Sequence, residues 1–344
     1  MNGLRAALGI ALSMLASCAQ PDPAPPRQSA KAASIPPPAP PAPAPRRAPE
    51  LDLEADPVRR ELLRAPLKDL APVGWGRPGY LRVTLDRHDP PGSGPAFVAL
   101  ALDEAPGAYR RPLAFERLAR ALGMRVVPAA ALRRISTGEL GALLEGQPDL
   151  QAYFKAHTAV QNDGTVDALV TAPFRGDGPG AWKATRGREI SVLDSHELRR
   201  WERWAASPDP AADESPELVR DYVEMLVLDY LSGNVLRRSV TVDDEGGALL
   251  LTDNDTAFPL KVDPRAEARI LKHLRVVMRF PRSLREALLR LDRPRARAIF
   301  LPEGFDTWIV PPRTLVDLDE RRASLLTLIE ARIAERGEAN VLCL

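Results

Sequence analysis

Hydrophobic positions along this chain follow two rhythms, and the order in which they occur predicts the architecture. Residues 95–102 (Pro-Ala-Phe-Val-Ala-Leu-Ala-Leu) are apolar at consecutive positions, the mark of a strand covered on both faces. From Pro112 to Leu122 the period lengthens, and Leu113, Phe115, Leu118, Ala121 and Leu122 form a helical stripe stopped at Gly123. Residues 138–157 read as a second amphipathic helical region. Asn162-Asp163-Gly164 then predicts a turn into a strand that runs toward Phe174. A Gly/Pro-rich stretch, 176–182, follows as a crossing segment.

Beyond it the rhythm is helical. Asp194 and Ser195 cap a helix carrying Leu198, Trp201 and Trp204. Ser215-Pro216-Glu217 is a strong helix start, with a capping hydroxyl, a proline whose missing N–H costs nothing there, and an acid in the first turn. Leu218, Val219, Tyr222, Val223, Leu226, Val227, Tyr230 and Leu231 recur behind it at three- and four-residue steps, so that this helix buries nearly half its circumference. Helices near 265–292 and 317–336 follow, the latter stopping at Gly337. Strands first and helices after make an α+β chain, and no internal repeat is visible.

The ends change this picture. Arg5 and the apolar stretch from Ala6 to Leu15 form a processing signal too short to span a bilayer as a mature helix. Leu15-Ala16-Ser17-Cys18 resembles a bacterial lipoprotein cleavage box. Cleavage before Cys18 would leave its thiol acylated and the protein anchored in a lipid bilayer, with Ala19 pointing to the outer membrane; an ordinary signal peptide cut nearby is the alternative. Residues 21–49 alternate Pro with Ala, Arg and Ser, a disordered linker with extended polyproline character. At about 3.1 Å per residue it could hold a folded part tens of ångströms from a membrane.

Charge is balanced at a formal net +1, with no basic block interleaved with aromatics, so nucleic acid is not an expected partner. The two cysteines are Cys18 and Cys343, which with Cys18 acylated leaves no disulfide framework. His88, His157, His196 and His273 lack zinc-ligand spacing. Asp194-Ser195-His196 suggests a triad, but adjacent residues do not align nucleophile and base, and Gly-x-Ser-x-Gly is absent. Gly74-Trp75-Gly76-Arg77-Pro78-Gly79 precedes a strand at 80–85 instead of opening a helix, the wrong order for a dinucleotide fold. It suits a loop between strands, covering phosphates or simply turning. The acidic run at 243–247 could bind calcium or merely close a hairpin.

The most informative stretch is 229–258. Asp229-Tyr230-Leu231-Ser232-Gly233-Asn234 ends a helix. Residues 239–248 read as strand, acidic turn, strand, and Leu249-Leu250-Leu251-Thr252-Asp253-Asn254 is an apolar run that delivers a carboxylate and a carboxamide to its end. An Asp where a strand runs out is geometry used to hold a divalent cation against phosphates; a surface hairpin with a turn-forming Asp-Asn pair is the bland alternative. The stretch resembles the active-site core of secretory-pathway kinases of the four-jointed type and, more distantly, of phosphatidylinositol kinases. Residues 114–128, ending in Val127-Pro128, look like the N-lobe helix of that family. The resemblance spans residues 70–340. It implies a two-lobed protein-kinase-like fold, with a small β-rich N-lobe over 51–180 and a larger helical C-lobe over 181–344, behind a signal peptide (1–17) and a lipidated, disordered linker (18–50). It also implies ATP and Mg2+ as cofactors, with Asn234, Asp253 and Asn254 binding them and Asp253 and Asp255 holding the metal.

The departures are as telling. By the resemblance the catalytic Asp falls on Leu236, although Arg237 is kept. No Lys occurs between Lys68 and Lys155 to pair the phosphates, and the Glu that would partner it falls on or near Pro112. Base, Lys–Glu pair and metal-binding Asp are the working parts of phosphoryl transfer, and by this alignment only Asp253 remains. The leading expectation is therefore an envelope-anchored pseudokinase that serves as a binding or scaffold module for an envelope protein. A divergent kinase acting on an envelope protein, sugar or lipid is the alternative, with Asp243 or Asp244 as base and Lys155 or Lys183 replacing the missing Lys. An unrelated α+β envelope lipoprotein is the third reading.

Overall fold

The computed structural model describes residues 57–72, 80–88, 91–104, 107, 109–171, 187–192, 195–243, 247–252, 254–301 and 308–344. The signal peptide, Cys18, the linker, the glycine segment 74–79, Lys183, Asp194, Asp244 and Asp253 lie outside these residues.

The first half opens with helix α1 (Pro57–Arg64), followed by strands β1 (Leu67–Pro72), β2 (Tyr80–His88) and β3 (Pro91–Leu100). Helix α2 (Arg110–Ala121) crosses to β4 (Ala130–Ser136), and two short helices, α3 (Thr137–Leu143) and α4 (Pro148–His157), lead to β5 (Thr165–Thr171). These strands form one antiparallel sheet in the order β1-β2-β3-β5-β4. The apolar run read as a central strand is the middle one. Ala96, Val98 and Leu100 of β3 are buried and Phe97 and Ala99 half-buried, as a strand flanked on both sides requires. The glycine segment joins β1 to its antiparallel neighbour β2, so no strand–glycine–helix unit exists there. Neither α1, β1 nor β4 was anticipated from the hydrophobic pattern. Each depends on distant partners: β4 pairs with β5 along its whole length, and α1 packs against β4.

The second half begins with β6 (Gly187–Ser191), α5 (His196–Ala206) and α6 (Pro216–Ser232), then β7 (Ser239–Asp243) and β8 (Leu249–Leu250). Strand β6 pairs with β7, not with the larger sheet, and β7 pairs with β8 to complete a three-stranded antiparallel sheet. Helices α7 (Pro264–Val276), α8 (Arg282–Arg290), α9 (Arg293–Phe300), α10 (Pro312–Arg336) and α11 (Glu338–Val341) finish the chain. A β-rich first half and a helical second half give the α+β arrangement expected of strands followed by helices.

Helix α6 is the axis of the second half. Ser215 caps it by accepting from the Leu218 N–H at 3.4 Å, and Gly233 ends it in the left-handed region at φ +66°. The pattern suggested a helix buried over half its girth. Almost all of it is buried, because Asp221, Glu224 and Asp229 on the remaining side are enclosed as well. Asp221 justifies its burial by accepting the Leu249 N–H at 2.9 Å, which fixes the hairpin against the helix. The region read as helical over 265–292 is divided between α7 and α8 by an extended break. There Met278 donates to the Ala205 carbonyl at 2.9 Å and Arg279 is buried against Glu214.

Candidate functional site

The site is built at the C-terminal end of α6. Asp229, one turn from the helix end, is buried, and Gly233 turns the chain so that the Asn234 N–H donates back to the Asp229 carbonyl at 2.9 Å. An added Cβ at Gly233 would lie 2.9 Å from Val262 Cγ2 and 3.0 Å from Arg321 Nη1, so both the turn and the space require glycine.

Four side chains then close on one another. Arg237 donates from Nε to Asp229 Oδ2 at 2.6 Å and from Nη2 to Asp229 Oδ1 at 2.7 Å. The same Nη2 donates to Asn254 Oδ1 at 2.8 Å. Asn234 donates from Nδ2 to Asp229 Oδ1 at 3.1 Å and accepts from the Thr256 hydroxyl, while Asn254 donates from Nδ2 to the Leu251 carbonyl at 2.8 Å. Asn234, Asp229, Arg237 and Asn254 are all buried. Burial pushes the Asp229 carboxyl above its ordinary range, and the Arg237 charge, with the hydrogen bonds from Arg237 and Asn234, opposes that. A buried guanidinium–carboxylate pair persists only with such complete bonding.

Helix α2 covers this network. The Phe115 ring lies 5.4 Å from the Arg237 guanidinium carbon. The Leu251 N–H donates to the Val126 carbonyl at 2.7 Å, and Arg111 Nη1 donates to the Asp255 carbonyl at 3.3 Å. The segment that follows the late hairpin and the helix preceding Val127-Pro128 therefore meet in space. Their separation would have favoured the reading of an unrelated α+β lipoprotein.

Leu236 sits between buried Asn234 and buried Arg237, yet its own side chain is 58% exposed. Asn254 belongs to the network, Asp255 is exposed on the turn after it, and Asp253 lies outside the described residues. Pro112 is the third residue of α2, where no intrahelical N–H is lost. Asp243 closes β7 opposite Gly187. Lys155 is exposed on α4, and Lys68 pairs with Asp86 across β1 and β2 at 2.7 Å. Ser195 is a helix cap, accepting from the Glu197 and Leu198 N–H groups. Among the described residues no group of three His, Cys, Asp or Glu side chains could hold a metal.

Sequence reasoning missed the carboxylate that α2 does carry. Glu116 is 1% exposed and is held by Arg120 on its own helix and by Arg59 Nη2 of α1 at 3.3 Å. Arg59 also donates from Nε to the Ala130 carbonyl at 3.2 Å. Tyr109, just before α2, donates to Asp167 Oδ2 of β5 at 2.6 Å, and burial together with that carboxylate raises its hydroxyl pKa. Glu116 sits one turn beyond Pro112. That spacing was the available signal, but Arg59 lies 57 positions away and has no local mark.

No protein-family model matches the chain, and no curated protein matches it. Solved structures do. Hydra Fam20 with sugar superposes with a TM-score of 0.54 at 15% identity, covering 84% of this chain and 92% of that one. The Golgi casein kinase gives 0.54 at 15% identity, covering 85% of this chain and 79% of that one. The Golgi casein kinase with Mn/ADP bound gives 0.56 at the same identity and coverage. The chain has the kinase-like fold of these Fam20 secretory-pathway kinases.

Proposed function

We propose that this protein is an envelope-anchored lipoprotein whose kinase-like domain no longer transfers phosphate and instead serves as a binding or scaffold module. The observation that carries the reading is Leu236. Asn234, two residues before it, and Arg237, the residue after it, are locked into a buried hydrogen-bonded network, while the position that the resemblance assigns to the base holds an exposed aliphatic side chain. An alkyl group can neither take nor orient a proton. Glu116, the carboxylate that α2 offers, is bound to Arg59 and Arg120.

Asp253, the carboxylate that the resemblance assigns to the metal, lies outside the described residues, and the described ones around it are engaged elsewhere. The Asn234 and Asn254 carboxamides already donate and accept within the protein, and Asp255 stands exposed on a turn. What the chain's own residues do is architectural: Asp229, Arg237 and Asn254 tie the end of α6 to the segment after β8, and Phe115 ties both to α2. That preserves the face a kinase would use, without its chemistry.

The test is phosphate release and transfer from ATP by the full chain, with Mg2+ or Mn2+. The proposal expects none above buffer. Turnover that Asp253→Ala abolishes would reject it in favour of a divergent kinase, the reading encouraged by the neighbour that binds Mn/ADP. Thermal-shift titration with ADP and Mn2+ separates the two further, since a ligand at one hundred times its dissociation constant adds about 2.7 kcal/mol.

A further inference from the structure

Helix α7 gathers four basic side chains on its outward face. Arg265, Arg269, Lys272 and Arg275 are all exposed. At about 3.6 residues per turn they fall within roughly 120° of its circumference, and Val276 lies among them, 37% exposed. The opposite side faces inward through Ala266 and Leu274. The one acid on the helix, Glu267, is bound to Arg321 at 2.6 Å, and His273 is bound to Glu202 at 2.6 Å. None of the four outward cations has an ion-pair partner among the described residues. Some exposed arginines elsewhere, Arg188, Arg200, Arg282 and Arg290, each face a carboxylate, while others, such as Arg293 and Arg297 of α9, are exposed as well but do not gather four to one face. Arg265 even stands in the first turn of α7, where a cation opposes the helix dipole. In a chain of formal net charge +1, this is a local concentration of uncompensated charge.

We propose that the outward face of α7 docks on an anionic phospholipid surface. The partner is chosen by shape and chemistry. From Arg265 to Val276 the face is straight over roughly 16 Å, which suits a plane. Leu260, 64% exposed just before the helix, and Val276 supply apolar side chains that enter a headgroup layer while Arg and Lys stems lie along it. The helix has no aromatic residue, so it lacks the anchors on which a specific protein interface is usually built. The choice of a bilayer rests on the envelope-anchored reading; the location of the face rests on charge alone.

Full-length chain carrying Cys18→Ser, which removes the thiol needed for acylation, is sedimented with phosphatidylcholine vesicles and with phosphatidylcholine–phosphatidylglycerol vesicles. The readout is the ratio of the two partition coefficients, to which an anchor or signal segment contributes equally in every variant. The expected ratio is well above one and collapses at high salt. It falls about fivefold for each of Arg265→Gln, Arg269→Gln, Lys272→Gln and Arg275→Gln. A charge-matched control, Arg188→Gln with Arg200→Gln, Arg282→Gln and Arg290→Gln, leaves the ratio at the wild-type value. An equal fall in both sets, or no fall in the α7 set, overturns the proposal. Binding to heparin or DNA that depends on α7, without preference for anionic vesicles, also overturns it and assigns the face to a macromolecular polyanion. Loss of phosphoryl transfer or its presence moves none of these readouts.

Discussion

At the scale of single residues, the sharpest contrast in the molecule is between Leu236 and its neighbours. Arg237 holds Asp229 with two nitrogens and reaches Asn254 with one of them, all out of solvent. Removing it leaves a buried carboxylate without its counter-charge, so Arg237→Ala should cost about 3–5 kcal/mol in urea unfolding. Leu236→Asp, one position earlier, changes an exposed side chain and should stay within about 0.5 kcal/mol. If the two substitutions proved equally costly, Leu236 would be a packing residue and its functional interpretation would fail. Gly233→Ala meets both a left-handed backbone and Val262 at 2.9 Å, and should cost at least about 1–2 kcal/mol. The sequence disclosed Gly233 and Asn234 as a helix stop but not the bonds of Asn254. Its partner Arg237 lies 17 positions earlier, and nothing local in a Thr-Asp-Asn run says which amide turns inward.

At the scale of elements, legibility followed how local each signal was. The start of α6 was readable because Ser215, Pro216 and Glu217 act on their own first turn. Ser215→Ala should therefore cost about 1 kcal/mol, and Leu226→Ala, which empties part of the core, about 2–5 kcal/mol. Both are read as shifts in the urea midpoint at constant slope. Helix α1 was invisible for the opposite reason. Its eight residues are held by Arg59 reaching Glu116 and the Ala130 carbonyl, contacts made only once α2 and β4 exist. Arg59→Met should accordingly free α1 alone: amide exchange protection over 58–64 falls while that of α6 is kept. Uniform loss of protection in both would mean that α1 is part of the global core. The break between α7 and α8 was likewise hidden, since Arg279 is drawn in by Glu214 from 65 positions away.

At the scale of the whole molecule, strands before helices sufficed for the class, and the short resemblance around 229–258 and 114–128 supplied the kinase-like topology that the structural neighbours share at 15% identity. What sequence could not supply was the separation of roles within the site. The internal bonds of Asn234 and Asn254, read as cofactor ligands, and the buried carboxylate Glu116 of α2 are both set by distant partners. Kinase chemistry needs a base beside the network and a cation to set the phosphates. By the resemblance the first position falls on Leu236, which is exposed, and the strand preceding α2 carries no lysine. The most direct measurement is release of labelled γ-phosphate from ATP by the full-length protein with Mg2+ or Mn2+. This account predicts a rate equal to that of buffer, for wild type and Asp253→Ala alike. A rate above buffer in wild type that disappears in Asp253→Ala would contradict it.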